Sequence, residues 1–482
     1  MVKKSSTKKV KGKHRKATTK KSEALVAGPI IPITPNTPYG QCSERLSAFG
    51  GLLALVKFLE LISFEELFAQ HYVRPKRQPK LGSYRMVAGI LMLLFIGFQR
   101  LGHFAYVRMD PMLCGILGVA SLPVVSTFWR YLRSMAESQS KALIGLGGAL
   151  RAKVWALCQL KYRSIHIDID TTTTTVYGQI EGGRMGQGGH KGLRPVLCFI
   201  NETREYLCGS QRQGTTITNQ EMVEQIRQFP KLLPKEVKKV QVRADGEFIG
   251  WNGIQACEEA GYTYIIGNRR CTPVFKKNGW YRHGEYDYNQ TEYQPHQWSQ
   301  ARRFVVMRLR KQPVAERQLS LLVQENYSYR VFVTNETKKA HLVIAEYDGR
   351  AGVEPLIGEA QREGVLAIAS KKFATHHAFF QVVMLAYNIW RWMKLLGGHQ
   401  QQSTQKDTVA ERAQRVSVLP EHTLRIARLK MLFVAAKLCV HSNRGQVYYS
   451  IHEARATGLI DFMKYLDKRR AERMDELRPL AA

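Results

Sequence analysis

Asp170 closes the alternating run Ser164-Ile-His-Ile-Asp-Ile-Asp170, Asp245 closes Val240-Gln-Val-Arg-Ala-Asp245, and Glu354 ends Tyr347-Asp-Gly-Arg-Ala-Gly-Val-Glu354. Three carboxylates drawn from separate contexts can hold two divalent cations. That is the chemistry a phosphodiester asks for: charge neutralised on the scissile phosphate, with the attacking and leaving oxygens both stabilised by ions about 3.5–4 Å apart. Carboxylate oxygens are hard ligands and suit magnesium, with manganese as a substitute.

Such a site needs elements that bring the acids together. Asp170 and Asp245 each sit at the C-terminal end of an apolar alternating run, where open α/β sheets place their ligands, so two neighbouring strands would juxtapose them. Glu354 would close the site from a helix. An Asp at the end of a buried strand is costly unless a cation or metal accompanies it. Asp168 shares the strand face of Asp170 by the period of two and competes for the first position. Pro355 disfavours helical geometry at Glu354, which puts that residue in the first turn of its helix or just before it, with Glu359 as the fallback.

Composition names the partner. Lys and Arg number 72 against 39 acids in 482 residues, a formal net charge of +33 spread through every third of the chain. An excess of that size points to a long polyanionic footprint, hence nucleic acid. With 44% hydrophobic residues the chain has ample material for two or three folded domains. Its eight cysteines show no zinc spacing and read as buried reduced thiols of a cytoplasmic, nucleoid-associated protein. The longest apolar stretch, Met86 to Phe98, is about 13 residues, short of the roughly 18–20 that span a bilayer, and no secretory signal follows the basic N-terminus.

Along the chain, residues 1–45 read as a basic arm and a Pro-rich hinge. Residues 46–157 carry helical spacing and form a helical, DNA-end-binding region. Within it Ser126 is the expected cap of a short helix that presents Arg130 and Arg133 for DNA, as the second helix of a helix-turn-helix would. Residues 158–270 alternate strands with helices and predict a mixed α/β sheet. Residues 271–340 are aromatic and β-rich, an insertion in that sheet. Residues 341–400 return to helix, and 401–482 are a linker and a basic helical C-terminal region.

The residues Asp170-Thr-Thr172, Arg243-Ala-Asp245-Gly-Glu-Phe248 and Tyr347-x2-Arg350-x3-Glu354 resemble the DDE transposases of bacterial insertion sequences, in the branch with a β-strand insertion between the second Asp and the Glu. Gly189-His-Lys191-Gly-Leu-Arg194-Pro195 also fits, and the resemblance spans residues 120 to 440. It implies an RNase H-like core, with Asp170, Asp245 and Glu354 carrying two Mg2+ ions. It also implies a metal-dependent endonuclease and polynucleotidyl transferase for DNA transposition, which acts on transposon ends and target DNA, with a homodimer in the synaptic complex. Tyr347, Arg350, Lys191, Arg194 and Arg243 are then expected at DNA, and Tyr281 and Trp298 of the insertion as stacking platforms for a base. The branch's Lys falls at Gln361, with Arg362 and Lys371-Lys372 as replacements. A nuclease without strand transfer and a non-catalytic DNA-binding repressor or architectural protein are the alternatives.

Overall fold

Ile165, Ile167 and Ile169 alternate along the Ser164–Thr171 strand and are fully buried, while Asp170 and Thr171 at its end are half-buried. This strand lies inside a nine-stranded mixed sheet. Across the sheet the order is Tyr281–His283, Tyr286–Tyr293, Arg302–Arg310, Tyr327–Thr334, Thr263–Gly267, Lys239–Ala244, Ser164–Thr171, Val196–Ile200 and Glu205–Ser210. The computed structural model describes residues 31–76, 78–186, 189–214, 219–310, 327–367, 370–401 and 422–476. The basic arm before residue 31 lies outside them.

The first three strands of the sheet in chain order form an antiparallel meander, and the next two, Lys239–Ala244 and Thr263–Gly267, run parallel to the first. Helices Asn219–Ile226 and Trp251–Glu259 connect them, as parallel neighbours require. The expected β-rich insertion does not stand apart from this sheet. Its Tyr327–Thr334 strand pairs with Thr263–Gly267 through Phe332, Val333 and Thr334, so four further strands extend the same sheet.

The helical N-terminal region shares its core with the rest of the chain. Helix Ser83–Phe95 is buried from Met86 to Phe95 because it is packed on several sides, and its neighbour in the same core is the long helix Phe373–Gln401. Arg428, from the far C-terminal segment, donates to the carbonyls of Leu94 (2.9 Å) and Phe95 (2.7 Å) and pairs with Glu363. A cation there satisfies the open carbonyls at the helix end. Nearby, Gly364 has φ +130°, which an L side chain rarely adopts, and ends the helical run that begins at Val353.

Three expectations change. The helix with Arg130 and Arg133 begins at Val125 after an N-cap at Val124, without a side-chain cap, so Ser126 lies inside it. The C-terminal region is not all helical. Ala436–His441 and Arg444–Tyr449 form a hairpin that pairs with Leu46–Ser47 before helix Ala454–Glu476. All eight cysteines are free, yet Cys42 is exposed and Cys271 and Cys439 are only half-buried. No helix among the described residues is long and apolar enough to cross a membrane.

Candidate active site

The parallel pairing of Ser164–Thr171 with Lys239–Ala244 runs in register up to Ile169 opposite Ala244. One residue further along each strand stand Asp170 and Asp245. Neighbouring strands are about 4.8 Å apart, so the two acids leave the sheet side by side at its C-terminal edge. At Asp245 the backbone turns into a short 3-10 helix, Gly246–Phe248, capped by the Asp245 carboxylate on the Gly246 N–H at 2.5 Å. A Cβ at Gly246 would lie 2.6 Å from Arg269 Cγ, so a glycine there lets Arg269 lie across Asp245.

Glu354 is exposed in the first turn of helix Val353–Ala360, where the missing N–H of Pro355 breaks no helical hydrogen bond. Glu359 is buried and accepts from the Leu424 N–H at 3.3 Å, which makes it part of the packing with the C-terminal segment.

The two aspartates on the first strand have different surroundings. Asp168 is 1% exposed and is held by Arg243 through Nε (2.6 Å) and Nη2 (2.9 Å), with Asn201 Nδ2 at 3.0 Å. Asp170 pairs with one guanidinium nitrogen, Arg350 Nη2 at 2.8 Å, and accepts from the Thr171 N–H at 2.8 Å. Burial raises the Asp170 pKa above the usual carboxylate value; Arg350 opposes that, and the like charges of Asp245 and Glu354 add to it. Asp245 and Glu354 are thus both near enough to act on Asp170. Asp245 is faced by Arg269 Nη2 at 3.1 Å. Among the described residues no set of three His, Cys, Asp or Glu side chains is drawn in to metal-ligand spacing; Arg350 and Arg269 hold the positive charge beside the acids.

Behind the acids lies a seat. Arg243 Nη1 donates to the Glu346 carbonyl (2.6 Å), and Asn201 Nδ2 reaches from Asp168 to the Gly349 carbonyl at 3.5 Å. A Cβ at Gly349 would sit 2.8 Å from Arg243 Nη1. The buried Asp168–Arg243 pair, with half-buried Asn201, thus fixes the turn that carries Arg350 and leads to Glu354. Arg243, expected at DNA, is 3% exposed and serves that seat. Tyr347 packs on Phe332, with ring centroids 4.4 Å apart, and Arg350 lies 5.9 Å from the Tyr347 ring.

The remaining expected contacts scatter. Arg194 pairs with Glu247 (2.5 Å) and donates to Thr171 Oγ1 (3.2 Å), close to the acids. Lys191 donates to the Gly178 carbonyl at 3.1 Å on a small sheet that follows Asp170. Gln361 bonds Thr172 Oγ1, and Lys371 and Lys372 are exposed. Arg130 and Arg133 are exposed on the helical region, Arg130 curled back on the Ser126 carbonyl at 3.2 Å. Trp298 is buried against Trp251 and Phe304, which makes it core. Tyr281 keeps partial exposure, stacks on Tyr288 and bonds His341 through its hydroxyl at 3.2 Å. Sequence reasoning missed Asn201 and Arg269. Arg269 had a signal: it lies just past the end of Thr263–Gly267, the third parallel strand, on the same edge as the acids.

A mixed sheet with paired acids at parallel strand ends and a third on a following helix defines the class, and sequence comparison supplies the family. Residues 41–470 match the model described as transposase DDE domain group 1, and the chain belongs to that family of transposases. Among solved structures, the cryo-EM structure of the piggyBac transposase synaptic complex with hairpin DNA is similar at TM-score 0.40 and 10% sequence identity, over 90% of this chain and 83% of that one. No curated protein sequence matches the chain.

Proposed function

We propose that the chain binds transposon ends, cuts phosphodiester bonds there with two divalent cations held by Asp170, Asp245 and Glu354, and joins the freed 3′-hydroxyls to target DNA. The observation that carries this is the Ile169–Ala244 register, one residue short of the two aspartates. An antiparallel meander continued by two parallel strands is the plan of an RNase H-like core and supports the same reading.

The residues fit such ions. All three donors are carboxylates, the pKa of Asp170 is raised first by burial and then by repulsion from the other two, and two guanidiniums now supply the compensating charge. Bound there, magnesium or manganese would neutralise the phosphate and stabilise the attacking and leaving oxygens. The protein's own part is positioning. The Asp168–Arg243–Asn201 seat holds the turn before Glu354, and Arg350 orients Asp170. Exposed Lys371 and Lys372 provide charge for the DNA backbone where the branch's single Lys is replaced by Gln361. Processing both ends of an element together calls for at least two copies of the chain on DNA.

The test uses a duplex of the terminal inverted repeat flanking the coding sequence, with Mg2+ and a target plasmid. The wild-type chain yields nicked ends and joined product, and Asp245→Ala yields neither. Cleavage that persists in Asp245→Ala overturns the assignment, and cleavage without joining makes the chain a nuclease.

A further inference from the structure

Helix Val125–Ser134 packs across the short 3-10 helix Leu101–Ala105, with Phe128 stacked on Phe104 at 3.8 Å between centroids. Beside that stack lies an open cavity of about 340 Å3. Gln99, Arg100, His103, Tyr106 and Trp129 line it, with buried Phe379 of helix Phe373–Gln401 at its base. Four of these side chains are flat rings. Tyr106 is 81% exposed, and His103 stands edge-on to Phe98 at 5.3 Å between centroids. The His103 Nδ1 is shut off from water and has no hydrogen-bond partner among the described residues. A polar atom left unmatched in that way is costly until a ligand meets it.

The cavity is fastened to the helix that carries Glu354. Gln99 donates to the Arg362 carbonyl, Arg362 Nε donates to the Gly358 carbonyl at 2.8 Å, and the neighbouring Gln361 bonds Thr172 Oγ1, two residues past Asp170. From Glu354 to Arg362 the helix advances about 12 Å, which matches roughly three to four base steps along a duplex strand. The surround is basic. Between Gln99 and Ala136 the chain has four arginines and one acid, Asp110, which caps helix Pro111–Leu117. Arg100, Arg130, Arg133 and Arg362 are exposed. Stacking faces, an unmatched ring nitrogen and a rim of guanidiniums fit a nucleobase on its phosphate backbone. A second copy of the chain, also at +33, would set like charge against these arginines.

We infer that this cavity takes one unpaired base of the element end, stacked on Trp129 and Tyr106 and met at its edge by His103, while Arg100 and Arg362 hold the phosphates on either side. The pocket thereby sets how far from the cut the strand is gripped. This rests on the proposed function and adds a base subsite to it.

The experiment measures binding of the full chain to terminal-repeat duplexes by fluorescence anisotropy in Ca2+, with a single mismatch moved one position at a time through the region around the cut, and cleavage of the matched duplex in Mg2+. At one position, roughly three to four steps from the cut, the mismatch tightens wild-type binding about 10-fold, because an unpaired base leaves its stack at less cost. Tyr106→Ala loses that gain and Tyr106→Phe keeps it, whereas Arg100→Ala weakens every duplex alike. With an abasic site at that position wild type and Tyr106→Ala bind equally, which a variant damaged elsewhere would not do. If no position shows the gain, or if Tyr106→Ala keeps it, the pocket is overturned while wild-type cutting in Mg2+ keeps the cleavage reading. If Tyr106→Ala instead changes the sedimentation of the DNA-free chain with the gain intact, the cavity meets a second copy and the base subsite is overturned. If the wild type does not cut the matched duplex, the proposed function fails and takes the subsite with it.

Discussion

Two acidic centres flank the main sheet and differ in how they are finished. Glu205, on the edge strand, is fully buried and accepts from Arg151 Nε, Trp155 Nε1 and Trp392 Nε1, each at 2.7 Å. The remaining Arg151 donors reach the Leu232 and Tyr206 carbonyls at 2.9 and 2.7 Å, so the cluster is closed. Asp170 and Asp245, at the other end of the meander, each have one guanidinium. Arg350 Nε has no partner, and Arg269 is 62% exposed. A centre with every donor matched holds a fold together; one left partly matched at a sheet edge has room for a ligand.

The largest break in that comparison comes at the open centre. Asp245→Asn and Glu354→Gln each lower the rate of end cleavage by roughly 1000-fold, several kcal/mol of transition-state stabilisation, while the urea midpoint stays near wild type. Glu359→Gln, five positions on, leaves cleavage within a few-fold.

At the closed centre the effects exchange. Glu205→Ala leaves the Arg151 charge buried and costs about 3–5 kcal/mol in urea unfolding, since breaking a buried pair strands its partner. Cleavage per folded molecule is unchanged.

Acid sharpens the contrast on the closed side. Burial pushes His376 and His377 down to about 4 from an ordinary 6.5, so the folded state refuses protons that the unfolded state accepts. Stability is intact above pH 6.5 and falls as pH drops towards 4, by roughly 3 kcal/mol per histidine. Urea midpoints measured across that window check it, and His376→Phe flattens the slope by about half.

The smallest effect is Arg269→Ala. An exposed ion pair contributes about 0–1 kcal/mol, so the urea midpoint shifts little even though the partner is Asp245.

How much of this was legible follows from locality. Alternating β-branched residues marked the strands that end at Asp170 and Asp245, and Pro355 marked the helix start at Glu354, because each signal lies within a few residues. The pairing of Ile169 with Ala244 was not legible, since a period of two does not name a partner strand. Nor could aromatic content say that Trp298 faces inward. Ser126 looked like a cap by type, but the helix already starts at Val125 after Val124, and burial of Phe128 on Phe104, at 3.8 Å between centroids, fixes its rotation. The hairpin at 436–449 did carry a turn signal. Ser442 and Asn443 adopt φ of 48° and 60° between alternating strands, and that signal was submerged in a basic stretch read as helix.

The clasp between the two ends of the chain carries a consequence in time. Leu46–Ser47 pairs with Ala436–Lys437, Lys437 meets Glu44 across 393 residues, and Arg473 donates to the Leu61 carbonyl at 2.6 Å, at the C-terminal end of helix Leu52–Leu61. On a ribosome adding 5–20 residues per second, the first of these groups waits roughly 20–80 s for its partner. The start of the chain is thus made early and finished last, and a message cut short anywhere before the hairpin leaves the opening helices without the strands that cover them.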